Sequence, residues 1–371
     1  MTHLQGICRM SGATNTHPSA TPNWLRYTAL FLCFATLCLI FLGGQVKSHE
    51  AGLSVPDWPL TYNENPITFG ISKWTGGIFH EHFHRLFAGG VALLTVVLAG
   101  LLYWKEPRVW MVLLGVGAVF AVLLQAVLGG MTVIYHLPVL VSSAHAILAQ
   151  TFLLITIIIC YGLSRERSRR VERVRHGAPE TATSLKVGAL CLIGVVYGQL
   201  FLGALMRHTE SGLAIPDFPT TAGKVLPVVG ETELAWINDW RFEHTDSLGA
   251  QLPDVTMGQV AIHLAHRGGA VVVTLLIVGL AVSAWRRRLS HPQLWHTMIG
   301  LCLLVSVQIA LGAFTIWTTK HPYVTSFHVV TGAAVLGLST LLALRAWPLS
   351  PTEVPQAIEE RPQGALDAAL S

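Results

Sequence analysis

Apolar residues run along this chain in eight blocks, at 25–44, 82–104, 109–131, 139–163, 185–206, 259–285, 294–317 and 323–346. Each is about 20 residues or longer, the length at which a helix covers the hydrocarbon core of a bilayer. A barrel strand needs only about 10 alternating residues. Blocks of this length and number therefore predict an all-α polytopic membrane protein with eight transmembrane helices.

The blocks fall into two sets of four. After the first block comes Gly52-Leu-Ser-Val-Pro-Asp-Trp-Pro59, and after the fifth comes Gly212-Leu-Ala-Ile-Pro-Asp-Phe-Pro219, five positions of eight being identical. The match continues: His266 follows His84 by 182 residues, Gln308 follows Gln125 by 183 and His328 follows His145 by 183. A duplicated four-helix unit is predicted, with about 22 extra residues in the second long loop. Each unit has an even number of spans, so both copies insert the same way, as parallel repeats about an axis along the membrane normal. The first helix is expected to end at Gly43-Gly44. The expected domains are a tail at 1–24, a first half at 25–163, a basic linker at 164–186, a second half at 187–346 and a tail at 347–371.

Composition supports this picture. Only 12% of the 371 residues are charged and 52% are hydrophobic, against about 25% charged in an ordinary soluble domain. Lys and Arg place the halves in the membrane. With the N-terminus inside, 16 lie on the inner side and 6 on the outer, so the positive-inside rule predicts two cytoplasmic termini. The net charge of +4 then reflects topology, and the basic run 165–175 is no nucleic-acid site. The polar N-terminal stretch reads as a bacterial cytoplasmic tail and not a signal peptide. The six cysteines lie in that tail or inside apolar blocks, which predicts no structural disulfide.

Four histidines stand out from this background. His84 and His266, each followed by an arginine (Arg85 and Arg267), and His145 and His328 all come early in apolar blocks that run in the same direction. Ionisable side chains are expensive there unless they face a partner, a cofactor or water. Neutral imidazole is a usual axial ligand of haem iron, and the duplication favours pairing His84 with His145 and His266 with His328. Arg85 and Arg267 have the fork that suits propionate carboxylates. Glycines 89, 90, 129, 130, 268, 269, 312 and 332 would allow a flat macrocycle to approach, or would simply pack helices together. His49, His80, His82, His136, His208, His244 and His321 read as loop or interfacial residues. One difference between the halves matters most. Glu81 precedes His84 by three residues and shares its helix face, whereas the matching position before His266 is His263. A carboxylate there could serve as a base or stabilise developing positive charge; it could equally form a helical ion pair with Arg85.

These residues resemble the heme A synthase family: eight spans in two halves, Glu81-x-x-His84-Arg85, His266-Arg267, the paired octapeptides, His145 and His328. The resemblance implies that His266 and His328 are axial ligands of a resident haem b. His84 and His145 would hold the substrate haem O, and Glu81 would be the catalytic residue. The implied reaction oxidises a methyl group of haem O to a formyl group by successive hydroxylations, giving haem A for cytochrome c oxidase. His263 is an added candidate for a propionate contact. The implied partners are a haem O synthase, an electron-transfer partner and the lipid bilayer, and a homo-oligomer is compatible with them. The implied location is the bacterial cell membrane, with the mitochondrial inner membrane as the alternative. Many bacterial members carry two cysteines in the first long loop where this chain has Val55 and Thr61, so it resembles a cysteine-free subgroup. The competing reading from the residues is a two-haem b-type electron-transfer cytochrome that oxidises quinol; a parallel-repeat transporter is a third.

Overall fold

The computed structural model describes residues 22–176, 183–225, 230–243 and 253–347. Most of the expected N-terminal tail, nearly all of the C-terminal tail, residues 177–182 of the linker and His244 lie outside the described residues.

Eight helices are long and apolar enough to span a bilayer. They are α1 (Asn23–Ser48), α2 (Gly76–Lys105), α3 (Val109–Ile134), α4 (Val139–Leu163), α6 (Thr183–His208), α8 (Met257–Trp285), α9 (Pro292–Trp317) and α10 (Pro322–Ala346). Two further helices, α5 (Arg165–Arg175) and α7 (Glu231–Glu243), lie in the linker and in the second long loop. Local chemistry sets several of the starts. Thr256 and Gln259 form a reciprocal capping box at α8. Pro292 and Pro322 open α9 and α10, where a missing N–H costs nothing.

In the first half α1, α2, α3 and α4 pack in a ring, and α6, α8, α9 and α10 do so in the second. Each ring has an apolar interior: Leu32, Leu98, Leu102, Met111 and Ile159 in one, Leu192, Ile277, Met298, Leu301 and Leu336 in the other. The rings meet where α1 and α4 pack on α10, around Ile40, Leu153 and Ala333. Buried hydroxyls on these helices bond back to their own backbone, as Thr36 does to Leu32 O at 2.8 Å and Thr95 to Val91 O at 2.7 Å, which satisfies them without water. The outward flanks are apolar as well: Leu93, Phe120, Leu275 and Leu303 are each at least 64% exposed. An apolar belt of this extent is incompatible with water on that surface, and the molecule is a multi-pass membrane protein.

The two ends of the bundle differ. At one, α5 ties the halves together: Glu166 pairs with Arg345 through both oxygens, at 2.7 and 2.5 Å, and Arg170 donates to Leu344 O at 3.0 Å. At the other, the two octapeptides fold into matching turns. Asp57 accepts from the amides of Tyr62 and Asn63 at 2.8 Å, and Asp217 from those of Ala222 and Gly223 at 3.0 and 2.9 Å. All four donor residues have positive φ, as a tight primed turn requires at its two central positions.

Helix α1 does not stop at Gly43-Gly44. It continues to Ser48, because those glycines sit inside the helix where two other helices come close.

Candidate functional site

Each of the four histidines lies against a glycine of a neighbouring helix. A Cβ on Gly43 (α1) would stand 3.1 Å from Cε1 of His84 (α2), and one on Gly129 (α3) 3.1 Å from Cε1 of His145 (α4). In the second half the same contacts join Gly203 (α6) to His266 (α8) and Gly312 (α9) to His328 (α10), both at 3.2 Å. These spacings are tighter than a methyl group tolerates comfortably, so glycine lets each ring lie against the next backbone. Of the two roles the sequence left open for Gly129 and Gly312, macrocycle approach or helix packing, the contact seen is with the imidazole of the neighbouring helix. Gly130 meets the indole of Trp58, Gly269 meets Gln199, and Gly332 meets Leu200 and Gln308. Gly89, Gly90 and Gly268 have no neighbour within 4 Å.

His266 and His328 face one another with ring centres 6.4 Å apart and planes inclined by 68°. A metal–imidazole bond is about 2 Å long and the ring centre lies roughly 1.1 Å behind its nitrogen, so two axial rings on one iron stand about 6 Å apart. The observed spacing fits. His84 and His145 occupy the corresponding places on α2 and α4. Glutamines accompany the rings: Gln125 donates to His145 O at 2.9 Å, Gln199 donates to His266 O at 2.8 Å and approaches its Nδ1 at 3.1 Å, and Gln308 lies 3.4 Å from Nε2 of His328. Gln199 has no counterpart in the first half, where the matching residue is Leu39.

Around these rings, buried polar atoms lack partners: Nδ1 of His84, His145 and His328, Oε1 of Gln125, Gln199 and Gln308, and Oγ of Ser142 and Ser143. Buried polar groups are nearly always hydrogen-bonded. Ten such atoms occur among the described residues, and eight of them belong to the histidines, their glutamines or the serines just before His145. With the ring spacing, this concentration fits a polar-edged prosthetic group held by imidazole.

On the loop side of each pair stands a clamp. In the first half Glu81 takes the amide of Val55 on one oxygen at 2.8 Å and Nη2 of Arg85 on the other at 2.6 Å. Arg85 also donates to Asp57 O, Val55 O and Leu60 O at 2.7, 2.9 and 3.1 Å. In the second half His263 lies between the corresponding groups, with Nδ1 3.2 Å from the Ile215 amide nitrogen and Nε2 3.2 Å from Nε of Arg267; a neutral ring accepts on only one of its nitrogens. Arg267 donates to Asp217 O at 2.5 Å and Thr220 O at 2.8 Å. Arg85, Arg267 and His263, expected as carboxylate contacts, thus have loop partners, and the helical ion pair of Glu81 with Arg85 is present. Asp57 lies within reach of this network. Partial burial works against its charge, yet the amides of Asn63 and Tyr62 and the nearby guanidinium of Arg85 hold its carboxyl below the ordinary carboxylate range.

His82, expected in a loop or interface, is fully buried. Its Nδ1 lies 3.2 Å from the Thr61 hydroxyl, and its ring packs against Phe69 and Trp74. Helix α7 covers the second octapeptide: Ile237 packs with Ile215 and Val260, and Arg241 donates to Leu213 O at 2.8 Å. Neither feature was legible beforehand, since His82 has only Leu264 as its counterpart and α7 falls wholly in the extra residues.

Fold and site together define a class: an all-helical membrane protein with opposed imidazoles carried on different helices. The family model of the cytochrome oxidase assembly proteins COX15-CtaA matches residues 24–341, and the chain belongs to that family. Among its curated relatives are the heme A synthases of Shewanella oneidensis, 27% identical over 340 residues (86% of this chain, 94% of the relative), and of Rhizorhabdus wittichii, 26% identical over 369 residues (91% and 96%). The heme A synthase of Bacillus pumilus is 22% identical over 306 residues, 79% of this chain and 86% of the relative.

Proposed function

We propose that this chain is a heme A synthase, an oxidoreductase that converts a methyl group of haem O to the formyl group of haem A. The observation that carries this reading is the unequal clamp: beside matched imidazole pairs, only the first half has a carboxylate, Glu81, three residues from its histidine. The names of the relatives support the same reaction. Haem O is the substrate of the first half (25–163), between His84 and His145. His266 and His328 would hold a resident haem b in the second half (187–346), where it would supply one-electron redox chemistry.

The chain's own residues orient and protect the reacting group. His84 and His145 fix the plane of the substrate, and Gly43 and Gly129 fix the rings. Glu81, held by Arg85 and the Val55 amide, is fixed where it can stabilise positive charge beside the substrate or accept a proton from it. Two hydroxylations of one methyl carbon give an alcohol and then a hydrated aldehyde, and loss of water leaves the formyl group. A haem O synthase supplies the substrate and a separate partner exchanges electrons. The halves are parallel repeats, both termini face the cytoplasm and the membrane is the bacterial cell membrane.

The test is to produce the protein with and without a haem O supply and analyse the extracted haems. Hydroxylated or formylated haem is expected only with the supply; its absence with all partners present contradicts the proposal. One observation favours the two-haem quinol-oxidising cytochrome instead: Glu81 and His263 stand in equivalent places, each between an octapeptide amide and an arginine, which gives Glu81 a structural reason to exist. In that case both pairs would hold haem b permanently.

A further inference from the structure

Arg207 lies near the loop end of α6, one turn beyond Gly203, whose backbone backs His266. Its guanidinium reaches across to the first half, where Nη2 donates to Gly44 O at 2.7 Å and to Ser48 Oγ at 2.6 Å. Ser48 Oγ lies 3.4 Å from Oγ of Ser326, two residues before His328. The cation therefore sits between the helix that backs one proposed ligand of the second pair and the helix that carries the other, on the loop side of both. Among the described residues its Nε and Nη1 have no hydrogen-bond partner and no carboxylate lies within ion-pairing distance of it. Glu210, three residues on, is taken by Lys47 at 2.5 Å and Lys320 at 3.1 Å. Two lysines thus take the one carboxylate near Arg207. A cation inside an apolar bundle calls for an anion, and a planar guanidinium fork suits a carboxylate better than any other side chain does. Arg85 and Arg267 cannot fill that role freely, because their donors are engaged with loop carbonyls.

We propose that Arg207 holds a propionate carboxylate of the porphyrin bound between His266 and His328. The proposal rests on the reading of those two histidines as axial ligands and adds what distinguishes a kept porphyrin from an exchanged one. The first-half residue matching Arg207 is Lys47, 160 positions earlier, and its charge is already taken by Glu210. The half expected to retain its porphyrin has a guanidinium with uncommitted donors; the half expected to release product has a neutralised lysine.

The experiment compares haem b with its dimethyl ester, which keeps the ring and iron but not the carboxylate charges. Full-length His84→Ala protein, made without haem so that only the second pair can bind, is titrated with each and followed by absorption. With Arg207 present, the ester should bind about tenfold or more weakly, as loss of a charge-assisted hydrogen bond implies. In Arg207→Gln the preference should fall to within about twofold, with Arg207→Lys between the two. Ser48→Ala, which removes a neighbour but no charge, should keep the full preference. An ester penalty as large in Arg207→Gln as in its parent overturns the proposal. So does the absence of any penalty in the parent, which decides the matter even if the glutamine variant fails to accumulate. If His266→Ala binds haem as well as the parent does, the axial assignment itself falls, an outcome that no behaviour of the ester can imitate.

Discussion

The first and second halves solve the same mechanical problem with different chemistry. In both, an arginine one residue past a histidine pins the octapeptide turn, and a side chain one turn before that arginine bridges it to the loop amide at Val55 or Ile215. The bridge is a carboxylate in the first half and an imidazole in the second. The second loop is also covered by α7, while in the first half Ile67 and Ile71 remain more than 80% exposed. Imidazoles, facing glycines and octapeptide turns recur in the two halves, while the side chain beside the first histidine of each half differs in charge. Under the proposed function that difference separates the half that reacts from the half that stores a cofactor.

The largest effect that would break this comparison comes from the ligands. His266→Ala or His328→Ala should leave almost no co-purifying haem b, whereas His84→Ala or His145→Ala should leave it bound, as read from the reduced-minus-oxidised spectrum. Next comes the bridge. Glu81→Gln removes the charge and leaves one acceptor oxygen where the carboxylate offered two to Arg85 and the Val55 amide. Product formation should fall by about 10²-fold or more with haem b content unchanged, as for loss of a general base or electrostatic stabiliser. His263→Gln should lower product formation only a few-fold; equal losses in the two variants would make both bridges merely structural.

The glycines sharpen the comparison further. Gly203→Ala and Gly312→Ala should force the facing ring to move by a few tenths of an ångström. Each should shift the low-spin ferric signal of the bound haem and cost about 1–3 kcal/mol of stability through overpacking. Gly194→Ala, where an added methyl has no neighbour within 4 Å, should do neither. The smallest effect concerns pH. The Asp57 carboxyl is held below its ordinary range in the folded loop. Its contribution is therefore present above the unfolded value of about 4 and is lost as pH falls below it. Protection of the Tyr62 and Asn63 amides, measured against their intrinsic exchange rates, should fall only as pH drops through the depressed folded value of Asp57, and Asp57→Asn should show the lower protection already at neutral pH.

The spans and the four histidines were legible because both obey strong rules: apolar length for one, and the expense of a polar group in a membrane for the other. Glu81 stood out by comparison with His263. Other features were hidden for physical reasons. Gly43-Gly44 read as a helix end because glycine usually marks one; only the packed neighbours show why α1 accepts it. Arg85 and Arg267 read as anion binders because a guanidinium suits carboxylate and carbonyl oxygens alike, and sequence does not say which is near. Arg207 looked like an ordinary loop-side cation until its two uncommitted nitrogens and its place between α1, α6 and α10 were visible.

The most direct test of the central claim is the identity and number of haems carried by the purified protein. The account predicts one haem b per chain, lost with His266→Ala and kept with His84→Ala, together with haem O or its oxidised products in less than equal amount. Two equivalent, permanently bound b-type haems in every chain, with none oxidised when haem O is supplied, would contradict it.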